Sequence, residues 1–400
     1  MHIVFLTTEY PEITQQSGGI AEYTQKMANK LRNLGYDVSI ILAGSCNFSE
    51  EVDGIEIISF QSKDYWNGID GGFCGQISRI FRILINAYRF RREVNRLNQR
   101  KKISILQSSN YLSPLLFLDN HRFPVICRIS SYAPLLRKAY GKNDNTINRI
   151  EDFFELLSVR KSFALIVPSE FMRGIYSRYV DKQITVMKTP VGNQSFSMVG
   201  SPEHENLKDF RVLTYFGSMS MVKGVDLIAD IIKNILCKYH DVKFLFIGKD
   251  YGMPGFVSIS DYIRKKQGNC TKRVIIKNQL DKTQLYSFVQ DSYCCLFPSR
   301  IDNYPNAAIE AIGLGIPIVG SNNSSLEEMI VDGKTGYIFN NSDSKDFQSK
   351  LEIMLNLSEA KYAKMCRNVK VLYKQIQKEK RVEQLLNFYK DIIDEFKSQG

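Results

Sequence analysis

The carboxylates of Asp302 and Glu310 stand eight residues apart in the stretch PSRIDNYPNAAIEA (298–311), with Tyr304-Pro305-Asn306 and a run of small residues between them. A carboxylate accepts hydrogen bonds from vicinal hydroxyls in two directions, which suits sugars and ribose. Pro305 suits a first helical turn, where its missing N–H costs nothing. A helix starting there leaves Asp302 in the preceding loop and carries Glu310 about one and a half turns inside. The amides near Asn306, Ala307 and Ala308, with the positive helix end, form an anion site. Small side chains at 307 and 308 let a pyrophosphate approach that backbone. A plainer alternative has Asp302 and Asn303 capping the helix and Glu310 on a solvated face. These residues alone leave both open.

Such a site needs strands to deliver it. YCCLFPS (293–299) reads as a buried strand that ends at Pro298 and Ser299. Similar runs recur at HIVFLTT (2–8), DVSIILA (37–43), IEIISF (55–60), ISILQSS (103–109), PVICRIS (124–130) and FALIVPS (163–169). Helical patterns near 20–34, 77–99, 147–162 and 170–178 alternate with them. The rhythm breaks over 188–209, a Pro/Gly/Ser-bearing stretch read as a linker. It restarts at RVLTYFG (211–217), VKFLFIG (242–248), RVIIKN (273–278) and IPIVGS (316–321). Alternation of this kind builds parallel sheets from right-handed β-α-β units. The expectation is an α/β protein of two doubly wound, Rossmann-like domains, with ligands at the strand carboxyl ends in a cleft between them. The segment 379–399 reads as an amphipathic terminal helix.

Bulk properties agree. A chain of 400 residues exceeds what one core usually supports. The net charge of +11 makes anions attractive partners. No zinc-finger spacing or aromatic RNA-binding signature accompanies that charge, so no nucleic-acid partner is expected. The eight cysteines contain no Cys-x-x-Cys pair, and MHIVFLTTEY opens as a strand rather than a signal region. No apolar run approaches the ~20 residues needed to span a bilayer. Reduced thiols and a cytoplasmic location are the expectation.

Over about forty residues, PSRIDNYPNAAIEAIGLGIPIVGSNNSSLEEMIVDGKTGYIF (298–339) resembles the donor-binding segment of family 4 glycosyltransferases of the GT-B fold. That family carries an acid-x7-acid motif, then Glu-Ala, a Gly-x-Pro-x-Val strand start and an Asp-Gly-x-Thr-Gly turn. Asp302 replaces the usual first Glu, and Glu310 matches the second. The resemblance implies that Asp302 and the nearby amides of Asn303, Tyr304, Asn306 and Ala307 hold the donor sugar, and that Glu310 holds the ribose. YFGSMSMVKGVDLI (215–228) resembles the strand–loop–helix before the family's Lys-Gly. That places Gly217, Ser218 and Lys223 at the donor, with Lys223 meeting its β-phosphate as a point charge. The stretch 7–44 resembles the first strand–loop–helix–strand, where Gly18 and Gly19 let the donor phosphate approach a helix end. Its spacing does not fit a dinucleotide-binding dehydrogenase, because no Gly-x-Gly-x-x-Gly follows the first strand.

Two departures stand out. Ser218 occupies the place of the family's usual Arg, leaving Arg128, Arg300, Lys249 or backbone amides to supply that charge. Ser130, Ser131 and Tyr132 stand where many members have a His, and with Arg128 they are the acceptor-side candidates. His2, His121, His204 and His240 read as surface or loop residues, so no essential imidazole is expected. Segment 77–102 carries nine Arg/Lys against the single acid Glu93. Its apolar stripe of Ile77, Ile80, Phe81, Leu84, Tyr88, Val94 and Leu97 admits either a sheet-packed helix or contact with an anionic membrane surface.

The resemblance therefore implies a GT-B protein with domains over 1–195 and 200–375, the helix of 376–400 crossing back to the first. It implies a retaining glycosyltransferase without metal or cofactor, which moves a hexose-type sugar from a nucleotide-diphosphate sugar to a glycan or lipid-linked glycan in surface polysaccharide biosynthesis. Lys223, Asp302 and Glu310 are its expected catalytic residues. The cytoplasm, at the inner face of the cell membrane, is its expected location. The competing class is a non-catalytic nucleotide-sugar or glycan-binding protein on the same fold.

Overall fold

The computed structural model describes residues 1–14, 18–62, 73–119, 121–191, 207 and 209–399. The linker expected within 188–209 lies mostly outside the described residues, as does His204. Two compact units partition the chain: Met1–Lys138, Lys142–Gly192 and Lys380–Gly400 form unit 1, and Ala139–Gly141 with Asn193–Glu379 form unit 2.

Unit 1 holds a sheet of eight strands: β1 (His2–Thr7), β2 (Asp37–Gly44), β3 (Phe48–Val52), β4 (Ile55–Gln61), β5 (Ile105–Ser109), β6 (Val125–Arg128), β7 (Ala164–Val167) and β8 (Ile184–Val186). Their order is β3-β4-β2-β1-β5-β6-β7-β8, parallel except for the β3–β4 pair. The apolar runs are buried along their whole length in β1, β5, β6 and β7, as helices on both faces require. Helices α1 (Gly19–Asn33), α2 (Phe73–Arg100) and α3 (Thr146–Lys161) supply most of that cover. One face packs against Phe90, Val94 and Leu97 of α2, the other against Tyr23, Met27 and Leu31 of α1.

The apolar seam of α2 differs from the expected stripe. Ile83, Ala87, Phe90, Val94 and Leu97 are buried, whereas Phe81 and Tyr88 are 55% and 59% exposed. The expected stripe merged two faces of the helix. His2 also departs from expectation: it is buried, and its Nε2 hydrogen-bonds Ser39 Oγ at 2.9 Å. As the first residue of a central strand it is covered by β2.

Unit 2 repeats the plan with β9 (Arg211–Phe216), β10 (Val242–Ile247), β11 (Val274–Lys277), β12 (Ser292–Phe297), β13 (Ile318–Ser321) and β14 (Gly336–Phe339). Their order β11-β10-β9-β12-β13-β14 is parallel throughout. It reverses direction between β9 and β12, and ligands of doubly wound sheets collect at the carboxyl ends beside such a reversal. In unit 1 the equivalent place lies between β1 and β5. Helices α4 (Val225–Lys238), α5 (Lys282–Val289) and α6 (Asn306–Gly313) belong to unit 2. The last helix, α7 (Arg381–Gln399), belongs to unit 1, where Leu385, Leu386, Tyr389 and Ile392 join the core.

Candidate functional site

At the reversal in unit 2, β9 delivers Gly217 and Ser218, and β12 delivers Pro298 through Asp302. Lys223 sits in the turn before α4. Gly224 follows it at φ +68°, and a Cβ there would come within 1.9 Å of the Pro298 carbonyl oxygen. Only glycine lets the two loops approach this closely. The approach brings Lys223 Nζ to 2.6 Å from Asp302 Oδ2, across 79 residues of sequence. Asp302 Oδ2 also accepts from Ser299 Oγ at 3.1 Å, and Oδ1 from the Asn303 N–H at 3.0 Å. Tyr304, the residue that turns the chain into α6, holds a φ of 126°. A non-glycine residue there stores strain, which is typical of loops shaped for a ligand.

Asp302 does not cap α6. Pro305 is the cap residue and offers no side-chain acceptor, so the first-turn amides of Ala307 and Ala308 have no partner within the helix. Glu310 is 6% exposed, which removes the solvated-face alternative. Its Oε1 accepts from Lys282 Nζ at 3.1 Å and from Tyr286 OH at 3.2 Å. Both acids of the opening motif therefore pair with a lysine supplied by another helix or turn. Lys282 and Tyr286 were not singled out from sequence. Their placement on α5 at i and i+4 was the available signal.

Of the charges considered in place of the missing family arginine, Arg300 is committed elsewhere. It forms a two-pronged pair with Asp226 at 2.7 and 2.6 Å and donates to the Met221 carbonyl. Lys249 is exposed beside the Tyr251 ring, and its carbonyl accepts from the Met219 N–H at 2.8 Å. The Ser218 carbonyl accepts from Tyr215 OH at 2.6 Å.

In unit 1, Gly18 caps α1 with extended backbone, and Gly18 and Gly19 are exposed. The Glu9 carboxyl stands against Gly18, and burial raises its pKa above the ordinary value. Ser130 and Ser131 leave β6 and are held by Asn110, which sequence reading missed. Asn110 Oδ1 accepts from the Ser130 N–H at 2.8 Å, and its Nδ2 donates to the Ser131 carbonyl at 2.9 Å. Beneath them, Glu155 of α3 accepts from the Leu112 N–H at 3.3 Å and Asn110 Nδ2 at 3.4 Å. Burial pushes its carboxyl up to about 8. Tyr132 OH donates to Tyr179 OH at 2.7 Å. Arg128 is buried, its guanidinium 3.7 Å over the Tyr23 ring.

Comparison with known proteins follows the same division. The family described as glycosyl transferase 4-like domain matches residues 18–188, and the one described as glycosyl transferases group 1 matches 210–356. A capsular polysaccharide biosynthesis glycosyltransferase, CapM, of Staphylococcus aureus is 29% identical over 38% of this chain and 39% of its own length. A lipopolysaccharide 1,2-N-acetylglucosaminetransferase of Salmonella typhimurium is 24% identical over 51% of this chain and 56% of its own. The chain thus spans about half the length of these relatives or less. In structure, sucrose-phosphate synthase of Thermosynechococcus elongatus superposes with a TM-score of 0.76, covering 98% of this chain and 99% of that one at 14% identity. The fold is that of the GT-B glycosyltransferases. With both units matched in order along the sequence, the chain belongs to the glycosyl transferase family, its first unit 4-like and its second of group 1.

Proposed function

We propose that the protein is a retaining, metal-independent glycosyltransferase of surface polysaccharide biosynthesis. It moves a hexose-type sugar from a nucleotide-diphosphate sugar to a hydroxyl of a glycan or lipid-linked glycan. The observation that carries this reading is the pair of lysine-matched carboxylates at the strand reversal of unit 2, Lys223–Asp302 and Lys282–Glu310. Glu310 accepts the ribose hydroxyls, and Asp302 with the amides at the head of α6 holds the sugar and phosphates. Charge grows on the nucleoside diphosphate as the glycosidic bond breaks. Lys223 has three donors, so it bridges Asp302 and a phosphate oxygen together and stabilises that charge. Gly217 and Ser218 offer backbone without bulk to the same donor. The donor's own phosphate oxygen takes the acceptor proton, in keeping with Ser130, Ser131 and Tyr132 standing where an imidazole would be sought.

Peripheral contact with an anionic membrane surface belongs to this proposal. The solvent face of α2 presents Phe81 and Tyr88 among exposed Arg91, Arg92 and Arg96, which suits a lipid headgroup layer.

The test is incubation of the purified protein with uridine, guanosine and adenosine diphosphate-sugars. Melting temperature and release of nucleoside diphosphate are read with and without glycan acceptors. A ligand at a hundred times its dissociation constant adds about 2.7 kcal/mol. Stabilisation without release would favour a binding protein, and no stabilisation by any donor would remove the reading.

A further inference from the structure

Four cations of α2 meet acids: Arg79 pairs with Glu151, Arg92 and Arg96 share Glu93, and Arg100 holds Glu56. A basic helix of unit 2 is different. Glu359–Lys378 carries Lys361, Lys364, Arg367, Lys370, Lys374 and Lys378 against the one acid Glu359. All six cations are exposed, and among the described residues none of them pairs with a carboxylate. Lys364, Arg367, Val371, Lys374 and Lys378 follow one another at spacings of three and four, so they stack into one stripe about 21 Å long. Val371, at its middle, is 54% exposed. The opposite face, Met365, Val369, Tyr373 and Ile376, is buried.

Like charges three or four residues apart weaken a helix, and five such pairs run in succession from Lys361 to Lys378. Only anions from outside the described chain can neutralise them. The chemistry of the stripe selects among such anions. Five of the six cations are lysines, compact point charges that suit mobile headgroups rather than arginine forks that grip one phosphate. The two aromatic rings of the helix turn inward: Tyr362 stacks on Tyr293 at 4.2 Å and Tyr373 is buried, so neither is offered to a base or a sugar ring. The valine at the centre suits the edge of a headgroup layer better than a hydrated polyanion. Beneath the stripe lies the donor side. The helix packs on α6, which bears Glu310, and the Lys370 side chain lies over Gly315, just past the end of α6.

We infer that this stripe is an electrostatic docking surface for an anionic bilayer, and that it holds the donor helix of unit 2 beside the lipid headgroups. The inference rests on the reading that the protein works at a membrane surface, and it moves the main electrostatic contact from α2 to unit 2. Adsorption is chiefly by charge. The apolar face is committed to the core, so the helix lies on the surface without entering it. Clusters of about four to eight basic residues on one helix are enough for such binding.

The experiment pellets the intact protein with vesicles of phosphatidylcholine, or of equal parts phosphatidylcholine and phosphatidylglycerol. It is run at ~0.1 M and ~1 M salt, where the Debye length is ~10 Å and ~3 Å. Dextran sulfate serves as a soluble polyanion for comparison, and nucleoside diphosphates as the donor-side control. Binding is expected with the anionic vesicles alone, and should fall at least about tenfold at the higher salt. Lys364→Gln, Arg367→Gln and Lys374→Gln together should weaken it about a hundredfold. The same charge removed from exposed positions elsewhere on unit 2, through Arg264→Gln, Lys265→Gln and Lys272→Gln, should change it by less than about threefold. The stripe variant should melt no lower than wild type, since it relieves repulsion, and should bind nucleoside diphosphates as wild type does. The inference fails if anionic vesicles pellet the protein no better than neutral ones. It fails if both triple variants lose binding alike, which would leave only net charge at work. It also fails if the stripe variant keeps its vesicle binding and loses dextran sulfate, a result that hands the stripe to a polyanionic chain. If no nucleoside diphosphate binds even the unaltered protein, the donor reading falls and the vesicle result stands by itself.

Discussion

The two units share one winding pattern and fill its reversal point in opposite ways. In unit 2 every acid of the motif meets a lysine: Asp302 with Lys223 at 2.6 Å and Glu310 with Lys282 at 3.1 Å. In unit 1 the buried ionisable groups stand alone: Arg128 lies among hydroxyls and a ring, and Glu155 among amides. The first arrangement is neutral before a ligand arrives, and ligand hydroxyls and phosphates share donors already in place. The second keeps its electrostatic debt open until something binds or a proton moves. One winding pattern thus supports a prepaired site and an unpaired one, and the difference is set by which loop reaches across to the strand end.

The comparison can be broken at several points. Lys223→Ala should have the largest effect, lowering kcat by about 10²–10³, because leaving-group charge peaks in the transition state. Steady-state kinetics with a full KM determination checks it, and an unchanged kcat with raised KM would contradict the role. Glu310→Ala should weaken nucleoside diphosphate binding by about 1.5–3 kcal/mol, the range of a charged hydrogen bond. Calorimetric titration reads it directly.

Glu155 tests the unpaired side through pH. Its folded pKa of about 8 lies above the ordinary 4.5, so the folded state holds this proton more tightly than the unfolded chain. The stability it contributes is complete below about 4.5 and is lost as pH rises through about 8. Glu155→Gln removes that loss. Its melting temperature should match wild type at low pH and exceed it at alkaline pH, by an amount worth on the order of 2 kcal/mol. Melting curves across that range decide, and a gap that shrinks as pH rises would refute the sign.

Lys282→Ala should cost less, about 0.5–1 kcal/mol in nucleotide affinity, because Lys282 is half-exposed and Tyr286 still orders Glu310. Mildest of all, Phe81→Ser with Tyr88→Ser should reduce pelleting with anionic vesicles and leave donor kinetics untouched. Pelleting that ignores both lipid charge and salt would remove α2 from membrane contact.

Much of this architecture was legible in sequence, for identifiable reasons. Doubly covered strands such as HIVFLT and VKFLFI are apolar runs too short for a buried helix and rich in β-branched and aromatic residues. Strand β3, FSEEV, escaped notice because an antiparallel edge strand with exposed acids carries no such run. Strands β8 and β14 were too short to announce themselves. Within the site, Asp302 and Glu310 were visible from their spacing along one loop and helix. The pairing was not: Lys223 was named at the donor but not as the partner of Asp302, and Lys282 was missed, because they lie 79 and 28 residues away and reach the acids only through folding. Asn110 and Glu155 were hidden for the same reason, since a buried polar brace has no local periodicity. On α2 the error was one of phase: Phe81 and Tyr88 share a helix face with each other but not with Phe90 and Val94.

The return of α7 to unit 1 bears on how the protein is made. Tyr389 lies wholly buried there, and its hydroxyl donates to Gln107 Oε1 at 2.6 Å, across 282 residues of chain. Arg381 Nη1 donates to the Thr189 carbonyl at 2.7 Å. On the ribosome, therefore, the unit synthesised first is the one finished last. Its sheet emerges and waits with the Leu385 and Tyr389 berth unfilled until all of unit 2 has been translated. Over that interval the surface beside Gln107 and Phe163, which Tyr389 and Phe396 cover in the finished fold, stands open to water and to chaperones.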